Sequence, residues 1–361
     1  MEQGITTRYA QLLTEYCLYV QPGERILITA DLPALALAQE TVRAVFRAGG
    51  EPLLHLSYDD QLRDTVENVG AEVLASEPTA QLAQVAHVDG FLALRAPSNP
   101  YFLAGVNRET LAAWHRRMRA IMEARRGKKW SLTLYPTQAG AQGAQMALPE
   151  YEQFVYNAMF LHEDDPAQAW RNLGQRQQRW ADRLAQASEV RIEAAGTDLI
   201  LNIAGRKWVN SDGKRNMPSG EVFTGPHEHS ANGVIRFDIP SSVAGTVVQD
   251  VEIEFVDGKA VRATAQQGQE ALDAQLNMDD GARFLGELGI GTNPHIQRPT
   301  LSTLFDEKIL GTVHLALGSS YPETGGTNKS ALHWDLICDL RQGGQLSLDG
   351  EPFLVNGAFV E

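Results

Sequence analysis

Four short β-rich runs, spaced by helical stretches and all lying before residue 136, constrain this chain more than any other feature. They are residues 24–30 (ERILITA), 52–57, 90–96 (GFLALRA) and 130–135 (WSLTLY). Between them, residues 32–48 read as a helix ended by Gly49-Gly50, and further helical segments fill 60–85. A strand that rejoins its own sheet in parallel needs a crossover, so the pattern predicts a parallel sheet with helices on both faces. Upstream, Thr6 or Thr7 is placed to cap a helix with the stripe Leu12, Leu13, Tyr16, Cys17 and Val20, stopped by Pro22-Gly23.

The α/β region extends to residue 187 and resembles a flavodoxin-like layer sandwich. Its last part, 151–187, is helical, with Asp164-Asp165-Pro166 as a helix start. After Ser188 the texture changes. Short strands dominate, at 190–194, 198–203, 233–239 and 247–255, and helical patterns are confined to 268–277 and 280–288. This predicts two domains, 1–187 and 188–361, the second α+β with a mostly antiparallel sheet.

Composition narrows the class. A chain of 361 residues exceeds one ordinary core, and 43% hydrophobic with 21% charged residues is a globular balance. A net charge of −14 argues against nucleic acid and against anionic membranes, since both need a basic surface. No run approaches the roughly 18 apolar residues of a membrane span. The segment MEQGITTRYAQLL has neither the basic nor the apolar part of a signal peptide. Cys17 and Cys338, far apart in apolar contexts, read as buried thiols suited to a reducing cytosol, so a cytoplasmic location is expected.

The chemistry gathers in the second half. In His333-Trp334-Asp335 the polar pair is two residues apart, so in a strand an imidazole and a carboxylate leave one face while Trp334 and Leu336 leave the other. A buried strand carrying both needs their desolvation compensated, and a divalent cation does this. His314 lies in the apolar strand-like run 311–318, where a lone histidine is ordinarily a satisfied core residue. Glu221 follows the tight turn Pro218-Ser219-Gly220. Glu287 lies in a Gly-rich apolar loop with Gly286, Gly289 and Gly291, an odd place for a surface charge. Together, three carboxylates and two imidazoles exceed one tetrahedral site and suit two divalent ions bridged by a carboxylate. The donors, lacking thiolate, admit zinc, cobalt or manganese. His227 and His229 read as loop residues at a site mouth or a weak adventitious metal site.

Several ordered motifs carry a resemblance that covers nearly the whole chain. They are YAQLLTEYCLYVQPGERILI (9–28) and EDDPAQAW (163–170) in the first half. In the second half they are PSGEVFTGPHEHSANG (218–233), LGELGIGTNP (285–294), GTVHLALGSSY (311–321) and NKSALHWDL (328–336). With these the chain resembles the aminopeptidase T family of thermophile-type bacterial metallo-aminopeptidases. The resemblance implies an α/β N-terminal domain, a metal-binding C-terminal domain and a homodimer. It implies metal ligands at Glu221, Glu287, His314, His333 and Asp335, and an active-site tyrosine at Tyr321. The segment from Tyr321 to Asn328 is shorter here than in many relatives.

The implied activity is release of N-terminal amino acids from small peptides through a water activated by two divalent ions. Tyr321 would donate to the developing oxyanion. Glu287, or failing it Glu221, would carry the proton to the leaving amine, and Glu228 is a candidate for the substrate's α-amino group. A narrow-specificity metallo-dipeptidase would use the same ligands. A nucleotide-binding protein is a more distant alternative, because Thr29-Ala30-Asp31-Leu32-Pro33 carries neither dinucleotide nor P-loop glycines.

Overall fold

The computed structural model describes residues 2–58, 60–243 and 245–360. The chain forms two compact units, Met1–Ala167 with Gly213–Met217, and Gln168–Asp212 with Pro218–Glu361.

In the first unit the apolar runs become the parallel sheet expected of them. Its order is Glu51–Ser57, Arg25–Asp31, Gly90–Arg95, Lys129–Leu134, then Asn216–Met217, all parallel. Ile26, Ile28, Leu92 and Leu94 are buried, as strands covered on both faces require. The first helix differs from expectation. Glu2–Gln11 already includes Thr6 and Thr7, and passes into a wider π-helical turn at Leu12–Cys17, whose buried Leu12, Leu13, Tyr16 and Cys17 keep it packed. The helix Arg108–Ala124 falls outside the elements expected above. Its stripe of Leu111, Trp114, Met118 and Ile121 has helical spacing, with Ile121 buried and Met118 packed against the same core, so the element was legible and was overlooked.

Where the strand order reverses, a doubly wound sheet opens its ligand crevice. Here Asp31 stands at that point, accepting hydrogen bonds from the Ala96 amide (2.8 Å) and the Ser57 hydroxyl (2.9 Å). The Arg95 guanidinium also faces this carboxylate, 3.5 Å from Asp31 Oδ1. No helix among the described residues is long and apolar enough to cross a membrane.

The second unit takes up the helix Pro166–Leu184 from Gln168 onward, and the expected boundary at residue 188 falls just after that helix. Its two sheets are antiparallel. The larger begins with the hairpin of Glu189–Ala194 and Thr197–Asn202. The smaller runs His333–Asp339, Thr312–Gly318, Leu285–Gly291, Glu221–Thr224 and Val209–Ser211. One core takes Leu199, Ile235 and Ile253 from the larger sheet and Leu288, Leu315 and Leu336 from the smaller. Residues 280–288 are not helical, and Glu287 is in a strand instead of a loop. Three glycines within six residues weaken a helix, while Leu285, Leu288 and Ile290 gain burial in the sheet.

Candidate metal centre

The smaller sheet of the second unit has an apolar face and a charged one. Val222, Ile290, Val313, Leu315, Trp334 and Leu336 point into the core. Alternation then sends Glu221, His314, His333 and Asp335 to the other side. Pairing brings them into line: Glu221 opposes Gly291, Gly289 opposes His314, and Ala316 lies between Glu287 and Asp335.

Glu287 reaches this face through an irregularity. Leu285 is two residues earlier and sits in the core, so simple alternation would bury Glu287 with it. A bulge between Leu285 and Glu287 shifts the register and turns the carboxylate over. Gly286 makes the bulge possible, since a Cβ there would lie 2.2 Å from the Ser319 carbonyl oxygen. Gly289 leaves the hollow that His314 fills; a Cβ at Gly289 would lie 2.0 Å from His314 Nε2.

All five predicted ligands converge. His314 Nε2 is 3.4 Å from Glu221 Oε2 and 3.6 Å from Glu287 Oε1. His333 Nε2 is 3.4 Å from Glu287 Oε2 and 3.7 Å from Asp335 Oδ2. Glu287 thus presents one oxygen to each imidazole. Two compact groups result, Glu221 with Glu307 and His314, and Glu287 with His333 and Asp335. Glu307 was not among the predicted ligands, and neither was Lys308 beside it. Lys308 is fully buried, bonded to the Glu307 carboxylate and 3.4 Å from Glu221 Oε1. The signal was a charged triplet, Asp306-Glu307-Lys308, set between Leu304-Phe305 and Ile309-Leu310.

These side chains leave buried polar atoms unsatisfied. Glu221 Oε2, both His314 ring nitrogens and Asp335 Oδ1 have no hydrogen-bond partner among the described residues. Burying such atoms unpaired is costly. Four carboxylates and two imidazoles crowd this face with Lys308 against Glu221 and Glu307, and a divalent cation that displaced the imidazole protons would take up their unpaired oxygen and nitrogen atoms. The donor set therefore fits metal. His333 Nδ1 lies 2.8 Å from the Ser319 carbonyl, an acceptor that places the proton on Nδ1 and leaves Nε2 as the ligand atom.

The charges tune one another strongly. Burial lifts the Glu221 carboxyl to about 7, with Lys308 opposing. Burial likewise lifts Asp335 to about 7. Glu287 resists its burial because His314 and His333 flank it, and it falls to about 2. The imidazoles respond in kind: burial opposes their charge, but Glu287 and the other carboxylates raise His314 to about 9 and His333 to about 10. Tyr321 is pushed up by burial and by the carboxylates, so its hydroxyl stays protonated.

Tyr321 is at the rim, 40% exposed, its ring 5.2 Å from His333 and 5.4 Å from Phe223. Glu228 is already engaged, by the Thr327 amide and hydroxyl and by Arg206. His227 Nε2 lies 2.9 Å from the Ala204 carbonyl, and His229 packs edge-on against Phe284. Neither histidine belongs to the metal-ligand groups.

Comparison with known proteins agrees with this chemistry. Residues 3–359 match the family described as thermophilic metalloprotease (M29). Aminopeptidase 2 of Geobacillus stearothermophilus is 28% identical, over 95% of this chain and 93% of that one. Aminopeptidase T of Thermus thermophilus is 26% identical, over 91% of this chain and 90% of that one. The solved structure of wild-type AmpT from Thermus thermophilus shares the fold, with a TM-score of 0.85 at 23% identity over the whole of both chains. With a match running from residue 3 to residue 359, this chain belongs to the thermophilic metalloprotease (M29) family.

Proposed function

We propose that this chain, a metallo-aminopeptidase, cleaves N-terminal residues from small peptides with two divalent cations. One would be held by Glu221, Glu307 and His314, the other by Glu287, His333 and Asp335. Zinc, cobalt and manganese suit these oxygen and imidazole donors. Glu287 carries this reading, because its two oxygens face different imidazoles, 3.6 Å and 3.4 Å away. When bound, the cations supply Lewis acidity toward water and toward the scissile carbonyl.

The remaining work falls to side chains. Tyr321 Oη donates a hydrogen bond to the carbonyl oxygen as charge develops there, a contribution of roughly 3–4 kcal/mol where one such donor is removed. Glu287 and Glu221 are the two carboxylates that could carry the proton to the leaving amine, each beside His314. Glu228, saturated by Thr327 and Arg206, is left out of α-amine recognition.

In this reading the domain spanning 188–361 is catalytic, the protein is a homodimer, and it acts in the cytosol. The burial of both cysteines is consistent with that compartment.

The test is metal content and activity together. Protein purified without added metal should carry up to two divalent ions per chain, and chelation should abolish hydrolysis of amino-acid anilides until zinc, cobalt or manganese is returned. Full activity after exhaustive demetallation overturns the reading. Light scattering at micromolar concentration checks the dimer, which a monomeric mass refutes.

A further inference from the structure

We infer that Arg206 and Glu228 are positioning residues that hold Tyr321 at the metal centre by tying down the short turn behind it. This rests on the reading of Tyr321 as a hydrogen-bond donor to substrate.

The Tyr321 side chain has little to fix it. Among the described residues its hydroxyl has no hydrogen-bond partner, its ring lies beside those of Phe223 and His333, and the residue is 40% exposed. Its placement therefore comes from its backbone. The Tyr321 carbonyl accepts hydrogen bonds from the Thr324 amide (3.0 Å) and hydroxyl (2.7 Å), and the Gly325 amide donates to Pro322 O (3.1 Å). Residues 321–325 are thus one tight turn, and where it sits decides where Tyr321 sits.

That turn is held from outside along consecutive residues. The Lys207 amide donates to Thr324 O (3.3 Å), and the Arg206 guanidinium donates to Gly325 O. Arg206 also donates to Pro226 O (3.2 Å) and to Glu228 Oε2 (3.2 Å). Glu228 completes the tie with its other oxygen, which accepts from the Thr327 amide (2.6 Å) and hydroxyl (2.8 Å). The far end closes on itself, with the Ser320 amide donating to Asn328 O and the Asn328 amide to Ser320 Oγ. The packing is close at Gly326, where a Cβ would lie 2.3 Å from Ser320 Cβ.

The Arg206 side chain is 9% exposed, and one guanidinium satisfies three acceptors on two strands of chain. A fork of donors does this and an ammonium does not. A short turn cannot bury itself as a longer insertion can, so this ion pair supplies the rigidity. A displacement of about 1 Å at a donor is enough to cost catalysis heavily.

The experiment is a double-mutant cycle on the metal-loaded protein. Arg206→Met should lower kcat about 10-fold with KM and metal content nearly unchanged. In the Tyr321→Phe background the same substitution should cost less than about twofold, because the group it positions is gone. Arg206→Lys should recover little. If Tyr321→Phe is impaired and Arg206→Met costs the same factor in both backgrounds, the positioning role fails while the role of Tyr321 stands. If Tyr321→Phe turns over like the wild type, the reading of Tyr321 fails and takes this inference with it. Loss of metal in Arg206→Met also overturns it. Should Arg206→Met not fold, Glu228→Gln carries the same cycle and the same outcomes.

Discussion

The two halves of the metal cluster are built on one sheet face but differ in what surrounds them. Glu221, Glu307 and His314 share their space with the fully buried Lys308, and His314 is itself fully buried. Glu287, His333 and Asp335 have no ammonium in contact among the described residues, and the His333 side chain is 29% exposed beside Tyr321. The lysine already neutralises part of the first half, so a cation there competes with it. In the proposed two-cation reading the second half would depend on its cation more completely, and it is the half beside the exposed Tyr321. One sheet face thus provides a closed site with a built-in counter-charge and an open site without one.

The largest expected effect strikes the closed half at its imidazole. Gly289→Ala puts a methyl into the His314 ring, and His314 has no room to retreat because it is 0% exposed. We predict loss of bound metal and of activity, read by mass spectrometry of metal content; full occupancy in this variant would mean that His314 is not where the cluster needs it. His333→Ala is the next largest. It should leave one cation per chain, in the closed half, and lower kcat by more than about 10²-fold, since even outer-shell changes at metal sites cost 10–100-fold. Two cations retained in His333→Ala would erase the division into halves.

How much of this was legible beforehand divides along physical lines. The period-two spacing of His333 and Asp335 places both on one face with no further information, and it does so in the structure. The apolar runs at Ile26 and Leu92 likewise announced buried parallel strands. Glu287 was legible as a ligand candidate but not as a strand residue, because a bulge at Gly286 alters its face and a local pattern cannot show a register shift. Glu307 and Lys308 belong to a connection whose meaning arises only when Glu221 packs against it. Arg206 and Glu228 are separated by 22 residues and read singly as surface charges. Asn216–Met217 joins the parallel sheet with two residues, too few to carry any pattern.

Lys308→Met sharpens the comparison at a smaller scale. Removing the ammonium leaves Glu221 and Glu307 facing each other without their counter-ion, so the metal-free protein should lose stability, by about 3–5 kcal/mol if the pair is as buried as it stands. The cation of the closed half then meets no competing charge, and its affinity should rise on the order of 10-fold. Titration calorimetry and the thermal shift on adding metal read both effects. Weaker binding in Lys308→Met would instead assign the lysine to orienting the carboxylates.

The smallest effect is a proton count, and it tests both halves at once. A ligating imidazole must be neutral, yet among these carboxylates His314 titrates near 9 and His333 near 10. At pH 8 both rings therefore carry protons that a cation must displace. Binding should release about two protons per chain at that pH. The apparent affinity should climb as pH rises toward 10, the direction set by folded-state values above the ordinary histidine range. Calorimetry in two buffers of different ionisation enthalpy measures the count. His333→Ala should reduce it by about one, leaving the proton of the closed half. An affinity independent of pH between 7 and 9 would mean that the imidazoles are neutral before metal arrives, and that the carboxylates around Glu287 do not hold them charged.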